Sequence, residues 1–222
     1  MRILGLSSAT KITSFGLVDE EKVLVESTMA EVQSERILFY VKEAKVDPKE
    51  IEAVAVAIGP GSYSGLRGAV ATAKTLAQLL NVPLVGISTL EAIAYNLVDI
   101  EGTMAVILDA RANEYNFALF GASSGKLKRL TEDLVFRFDH LVDKLSRITG
   151  KLYLVGNLRE IKDHLSDKQN FHFAEELHSH PYGINVAKLG LMKIRSGKVD
   201  DPLTLAPCYS HKPNFQEYFR EL

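Results

Sequence analysis

A glycine-rich loop carries the residue types in this sequence that could do chemistry. The segment GPGSYSGLR, residues 59–67, follows an apolar run that predicts a buried strand and precedes a run that predicts a helix. Glycine takes positive φ and lets the backbone approach another surface, so we expect positive φ at Gly61 and Gly65. A serine can cap the helix, whose free amides attract anions. The loop is therefore a candidate phosphate or nucleotide site, formed by Gly59, Gly61, Ser62, Ser64 and Gly65.

The spacing of this loop departs from the known phosphate-binding patterns. No Lys-Ser or Lys-Thr pair follows the last glycine, and Ser64 stands where a dinucleotide fingerprint has its next glycine. A tight strand-to-helix turn is the alternative interpretation, and the spacing leaves both open. Neither Ser62 nor Ser64 lies in a Gly-x-Ser-x-Gly elbow, so we predict no serine nucleophile.

Two histidines, His178 and His180, are the remaining candidates for a metal site. Imidazoles at this spacing can chelate a metal ion if they lie on a strand, but only Glu175 and Glu176 stand close enough in the sequence to complete the ligand set. Surface histidines in a loop explain the pattern more simply. We predict no metal site and no catalytic residue in this chain.

The composition limits the classes of protein to which the chain can belong. Its 222 residues, 46% hydrophobic and 24% charged, are typical of a soluble globular protein with one large or two small domains. A net charge of −2 gives no electrostatic reason for unaided binding to nucleic acid. The single cysteine, Cys208, excludes an internal disulfide. Met1 runs directly into a predicted strand and no apolar run could span a bilayer, so we expect a cytoplasmic protein without membrane contact.

Hydrophobic patterning predicts the elements that position the loop. The first half has the order βββαβα. Its predicted strands and helices are, in order, Ile3–Leu6, Ser14–Val18, Val23–Met29, a helix over Glu31–Lys45, Val54–Ile58, a helix over Leu66–Leu80, Leu84–Ile87 and a helix over Leu90–Val98.

The second half repeats this order. Its predicted elements are Thr103–Leu108, Tyr115–Phe120, a third strand after the turn at Ser123–Gly125, a helix over Asp139–Ile148, Leu152–Val155 and a helix over Val186–Arg195. Leu6, Phe15 and Leu17 align at one constant separation with Leu108, Phe117 and Leu119. A duplicated βββαβα unit predicts an α/β protein of the actin-like, sugar-kinase and Hsp70 fold, with subdomains over residues 1–100 and 101–222. The repeat is weakest between Asn157 and Asn185.

Two predicted helices carry more apolar or small residues than one core face needs. Residues 37–41 are apolar in succession, and the helix over Leu66–Leu80 has small residues opposite its apolar stripe. A helix that is apolar beyond its core-facing stripe is usually covered by something else. Burial in one larger core and contact with a partner are both consistent with the pattern.

The loop sequence closely resembles the GPGSF/YTGLR signature of the TsaB (YeaZ) family. Three further segments agree with that family in order: GISTLEAIA at Gly86–Ala94, LDARANEYN at Leu108–Asn116, and Pro-x-Tyr at Pro207–Tyr209. The resemblance implies an actin-like fold without an active site of its own. It also implies a partner subunit that dimerises with a TsaD-like catalytic subunit, which transfers threonylcarbamoyl to the adenosine next to the anticodon of tRNA.

The same resemblance implies a set of partners. A TsaE-like ATPase docks on the pair, the isolated chain forms a homodimer, and tRNA is contacted only through the complex. The two N-terminal helices make the dimer contact, and any nucleotide lies at the loop or near this interface. The implied interface residues are Ile37, Leu38, Tyr40, Val41, Arg67, Ala71, Thr72 and Thr75.

Catalytic residues of related proteins are missing here. Ser7 stands where nucleotide-hydrolysing members of this fold have an aspartate, and a serine cannot hold Mg²⁺ with a charge. Asp109, at the matching position of the second half, is interpreted as a turn residue beside Arg111. Thr89 and Ile93 stand where TsaD has a His-x-x-x-His metal motif. An autonomous ATP-dependent kinase-like enzyme is the alternative function, and a stand-alone peptidase is a weaker one.

Overall fold

Two mixed β-sheets form the framework of the protein. The computed structural model describes residues 1–30, 36–167 and 169–210. In the first sheet the strand order is β3-β2-β1-β4-β5, in which the first three strands are antiparallel and β4 and β5 run parallel to β1. These strands are β1 Arg2–Ser7, β2 Ile12–Asp19, β3 Lys22–Ala30, β4 Ala53–Gly59 and β5 Leu84–Ser88.

The second sheet repeats the centre of the first. Its order is β11-β10-β6-β7-β8, with β9 also paired to β7, and β10 runs parallel to β6 as β4 does to β1. Its strands are β6 Gly102–Arg111, β7 Glu114–Ser123, β8 Lys126–Arg129, β9 Leu134–Arg137, β10 Leu152–Gly156 and β11 Phe171–Phe173. The repeated topology confirms the predicted actin-like α/β fold.

In the described ranges six α-helices pack on these sheets, and three of them, α1, α3 and α4, end earlier than predicted. They are α1 Ile37–Glu43, α2 Tyr63–Leu80, α3 Thr89–Ala94, α4 Phe138–Ser146, α5 Arg159–Leu165 and α6 Gly183–Arg195. The first helix stops before Lys45, whose φ of 58° is left-handed, and residues 31–35 of its predicted range lie outside the described residues. In α3 a 3-10 turn over Tyr95–Leu97 replaces the expected last turn. None of the helices in the described ranges is long and apolar enough to cross a membrane.

Two helices pack on the sheet of the opposite half. Helix α6 contacts β1, β2, β4 and β5 of the first sheet, and α3 contacts β6, β7 and β10 of the second. Val186, Ala187 and Leu189 share a core cluster with Ile3 and other first-sheet residues. The predicted subdomains over residues 1–100 and 101–222 stay a prediction, and the packing of α3 and α6 crosses the division between them. Each sheet has an inner face that its own outer helices leave uncovered, and the exchanged helices bury it.

The repeat is displaced by one residue between β1 and β6. Leu6 pairs with Phe15 and faces the outer helices, whereas Phe117 pairs with Ile107. Leu108 lies on the opposite face, in the cluster around α3. The predicted match of Leu6 with Leu108 is therefore wrong by one position. Successive side chains of a strand point to opposite faces, so this shift exchanges the two faces of β6.

The close approach of α6 to β1 generates a stability prediction. A Cβ atom on Gly5 would overlap the carbonyl oxygen of Gly183 and the backbone of Ala187. We expect Gly5→Ala to lower the free energy of unfolding by about 1–3 kcal/mol, because the helix must move away from the sheet. Urea unfolding followed by circular dichroism measures this change.

Gly121 in β7 provides the matched control. A Cβ atom there would meet Leu130 at ordinary van der Waals distance, 3.7 Å. We expect Gly121→Ala to change the free energy of unfolding by no more than about 0.5 kcal/mol. Equal losses in the two variants would contradict the role given to the contact between α6 and β1.

Candidate functional site

The glycine-rich loop joins the end of β4 to the start of α2. Ser62 is the N-cap of α2, and its Oγ accepts a hydrogen bond from the amide of Gly65 at 3.4 Å. This confirms the predicted capping by one of the two serines. Gly59 and Gly61 have φ of 126° and 156°. Gly65 lies inside the helix, so the expectation that it takes positive φ is wrong.

Three carbonyl groups of the chain itself fill the space in front of the loop glycines. A Cβ atom on Gly59, Gly61 or Gly65 would overlap, respectively, the carbonyl oxygens of Cys208, Ala9 and Ser8. The amide of Ser62 donates to the carbonyl of Ala9 at 2.7 Å. Carbonyl oxygens repel a phosphate group, so these contacts favour the tight-turn interpretation. Phosphate or nucleotide binding at this loop stays a prediction.

A short C-terminal segment, residues 207–210, joins the loop to the second sheet. The amide of Cys208 donates to the carbonyl of Ile58 at 2.6 Å. The hydroxyl of Ser210 is hydrogen-bonded to Asn116, a buried residue of β7. The resemblance of Pro207–Tyr209 to a family motif marked this segment, but only the structure shows what it contacts.

An aromatic and cationic cluster covers the first turns of α2. The guanidinium of Arg67 lies 4.1 Å from the ring centre of Tyr63, and Nε of Arg67 donates to the hydroxyl of Tyr209 at 3.1 Å. The rings of Tyr63 and Tyr209 are 5.0 Å apart. This hydrogen bond raises the pKa of Arg67 above its ordinary value, at which the side chain is already a cation. Sequence reasoning included Arg67 but missed the two tyrosines.

The outer face of α2 is small in its middle and apolar at its end. Ala71 and Thr75 are exposed and Thr72 is half-buried, while Ala69, Val70, Ala73 and Ala77 on the other side are buried. Leu79 is 78% exposed. The predicted interface residues of α2 thus lie at the surface. Leu79 was missed because the sequence pattern does not reveal which leucine of the last turn faces outward.

Helix α1 presents a different face from the one expected. Ile37 and Val41 are buried in the core cluster that contains Phe15. Their placement in a partner interface is therefore wrong, because residues four apart lie on one helix face and this face packs on β2. Leu38 and Phe39 are exposed and Tyr40 is half-buried. Phe39, 56% exposed, is the interface candidate that sequence reasoning left out.

Three positions at which related proteins have catalytic or metal-binding residues are buried in this protein. Ser7 and Thr89 are fully buried, and the hydroxyl of neither has a hydrogen-bond partner among the described residues. Ile93 lies in the core around α3. The carboxylate of Asp109 accepts a hydrogen bond from the amide of Arg111 at 2.8 Å, which agrees with the predicted role of Asp109 as a turn residue. The register shift described above means that Asp109 does not match Ser7.

The two histidines serve as part of a backbone anchor. The carbonyl groups of His178 and His180 both accept from Nδ2 of Asn96, at 2.7 and 2.8 Å. Nδ1 of His180 is buried without a partner in the described chain. Burial lowers the pKa of His180, and the charge of Glu176 opposes this change. Within residues 1–30, 36–167 and 169–210, no group of three or more His, Cys, Asp or Glu residues could hold a metal ion.

Comparison with known proteins agrees with this architecture. A family profile described as "TsaD: tRNA N6-adenosine threonylcarbamoyltransferase" matches residues 30–195. A Bacillus subtilis protein named tRNA threonylcarbamoyladenosine biosynthesis protein TsaB is 30% identical over 139 residues, which are 60% of this chain and 61% of the relative. The Escherichia coli protein of the same name is 26% identical over 164 residues, covering 70% and 71% of the two chains.

A solved structure shares the fold. YeaZ from Pseudomonas aeruginosa superimposes with a TM-score of 0.77, covering 94% of this chain and 99% of that one, at 19% identity. The match to the Bacillus subtilis relative spans 61% of that protein's length.

Topology, exchanged helices and these similarities define an actin-like protein of the glycoprotease-like type. Within that class, the chain belongs to the family that the matching profile describes. Its named relatives from Bacillus subtilis and Escherichia coli are both TsaB proteins.

The half-buried His180, whose Nδ1 atom is fully buried, generates a prediction about pH. Its folded-state pKa is lowered, so the unfolded chain takes up this proton first as the pH falls below the ordinary histidine value of about 6.5. The contribution of His180 to stability is thus complete above that pH and is lost as the pH falls towards the folded-state pKa. We expect NMR titration to give His180 a pKa below the ordinary histidine value of about 6.5. A pKa at or above that ordinary value would contradict the burial argument.

The contact of Gly65 with Ser8 generates a second prediction. Alanine normally stabilises a helix relative to glycine by about 1 kcal/mol. Here we expect Gly65→Ala to destabilise the protein by about 1–3 kcal/mol, because the added Cβ overlaps the Ser8 carbonyl. Urea unfolding measures the change, and Gln78→Ala on the exposed face of the same helix is the control. A stabilised Gly65→Ala variant would show that the loop has room in front of this glycine.

Proposed function

We propose that this chain is a non-catalytic subunit in the biosynthesis of threonylcarbamoyladenosine on tRNA. It pairs with a TsaD-like catalytic subunit, which performs the transfer to the adenosine beside the anticodon. The names of the relatives support the pathway. The observation that carries the pairing is the exposed outer face of α2 together with the neighbouring residues of α1.

This outer face has the composition of a helix-packing surface. Helix α2 has 18 residues and is therefore about 27 Å long. Ala71 and Thr75 in its middle allow a second helix to approach closely, and Leu79 beyond them is 78% exposed. Helix α1, which contacts α2, also exposes two apolar side chains, Leu38 and Phe39. Exposed apolar residues that adjoin one another mark a protein contact.

The chemistry of the chain supports a role without catalysis. No carboxylate or imidazole that could bind a metal ion stands at three positions where related proteins have one, namely Ser7, Thr89 and Ile93. With a net charge of −2, the chain contacts tRNA only through the complex.

A TsaE-like ATPase joins the pair, and a nucleotide binds at or near the partner interface if it binds at all. The isolated chain forms a homodimer through the same helical face, and the complex works in the cytoplasm.

The middle of α2 generates the test of this proposal. Arginine at position 71 would place a long cation in a contact that needs a small residue. We expect Ala71→Arg to weaken association with the TsaD-like subunit by several kcal/mol and to abolish the homodimer, because the charge is left unpaired in a desolvated contact. Sedimentation velocity of the two proteins, alone and mixed, measures both effects. Threonylcarbamoylation of tRNA by the reconstituted components falls with the loss of the complex.

Ser146→Arg is the matched control, because it places the same side chain at an exposed helical position in the second half. Both variants should keep the wild-type melting temperature, since neither position lies in the core. Wild-type affinity in Ala71→Arg would show that the partner binds elsewhere. Failure of the wild-type chain to bind the TsaD-like subunit would overturn the proposed function.

A further inference from the structure

The cationic cluster on α2 has the form of a prepared binding group. Arg67 lies on the ring of Tyr63, and its Nε is fixed by the hydroxyl of Tyr209. A free arginine side chain loses considerable rotamer entropy when it binds, but two contacts already hold this one. The guanidinium therefore has a fixed direction before any partner arrives.

The outer edge of this guanidinium is unused. Its two Nη atoms make no hydrogen bond within the described chain, and none of the ion pairs among the described residues includes Arg67. The first turn of α2 contains no acidic residue. Arginine and tyrosine are among the residue types that are enriched at the energetic centres of protein interfaces. A cation held in place without a counter-ion is ready to pair with one from outside.

The cationic cluster lies on the same side of α2 as the proposed partner contact. Tyr63, Arg67, Ala71 and Thr75 follow one another at four-residue intervals and are all exposed, so they form one stripe along the helix. A partner helix that lies on Ala71 and Thr75 passes directly over Arg67. The group that meets Arg67 therefore belongs to the same partner.

We propose that Arg67 binds a carboxylate of the TsaD-like subunit through its two Nη atoms, and that Tyr63 and Tyr209 position it for this contact. The inference rests on the proposed function. A carboxylate matches the planar fork of a guanidinium and its single charge. A nucleic-acid phosphate backbone needs several cations, and Lys74, the nearest basic residue along α2, already donates to the carbonyls of Leu203 and Leu205.

Arg67→Lys tests the proposal in two ways. It keeps the charge but loses the fork, so we expect the dissociation constant of the complex to rise about tenfold or more. The new amine also reports what lies beside it. A water-soluble carbodiimide joins an amine to a carboxylate in direct contact, and mass spectrometry of the mixed proteins should find position 67 linked to an Asp or Glu of the partner subunit.

Two further variants separate positioning from general damage. Tyr209→Phe keeps the ring but removes the hydroxyl, and we expect it to weaken binding about threefold. Combined with Arg67→Lys it should add little, because both changes disturb the same contact. Arg159→Lys, at an exposed position on α5, is the control and should keep wild-type affinity and give no link to the partner at position 159.

The results of these experiments distinguish failure of this inference from failure of the proposed function. Wild-type affinity in Arg67→Lys, with the complex intact, overturns this inference and leaves the proposed function standing. A link from position 67 to Glu217 or Glu221 of the same chain, which lie outside the described residues, also overturns it, because the carboxylate is then internal. Loss of direct RNA binding without loss of the protein complex would assign Arg67 to phosphate instead. A wild-type chain that does not bind the TsaD-like subunit overturns the proposed function and this inference together.

Discussion

The close backbone contact between α6 and the first sheet is the constraint on which the rest of the structure depends. Gly5 and Gly16 on the sheet and Gly183 on the helix leave no room for a Cβ atom between them. The amide of Gly183 donates to the hydroxyl of Ser14, which fixes the start of the helix against β2. Because α6 follows the second sheet in the chain, this contact ties the last third of the sequence to the first.

The two halves are then held at both ends of their junction. At one end, Nδ2 of Asn185 donates to Oδ1 of Asn96 and to the carbonyl of Ala92. At the other end, the segment over residues 207–210 contacts Ile58 and Asn116. Polar groups buried in this way must be paired, and the pairs form only in one arrangement of the two halves. The hydrogen bonds of Asn185 therefore fix the position of α6 relative to the α3 region.

The glycine-rich loop and the outer face of α2 differ in character. The loop glycines are in contact with backbone of the chain itself, so their conformational freedom serves packing. The outer face of α2 keeps Leu79 exposed, and Arg67 makes no ion pair with the described residues. Helix α1 likewise exposes Phe39. Exposed apolar side chains and unpaired charges that are already held in one conformation contribute most to the free energy of binding a partner, because little conformational entropy is lost.

The sequence by itself determined most of the elements, the duplication and the cap of α2, because these depend on residues that are close together in the chain. It did not predict β9, α5 or β11. Alternating and helical patterns predicted every strand of the first sheet, and Ser62 caps the helix as its residue type suggests. Only the tertiary structure decided that Ile37 and Val41 face inward, that Leu108 shares a face with α3, and that α6 covers the first sheet. It also brought Arg67 to Tyr209, 142 residues away. The hydrophobic period of a helix or strand shows that one of its faces must be buried. It does not show which distant segment buries that face, because this depends on packing between elements that are far apart in the sequence.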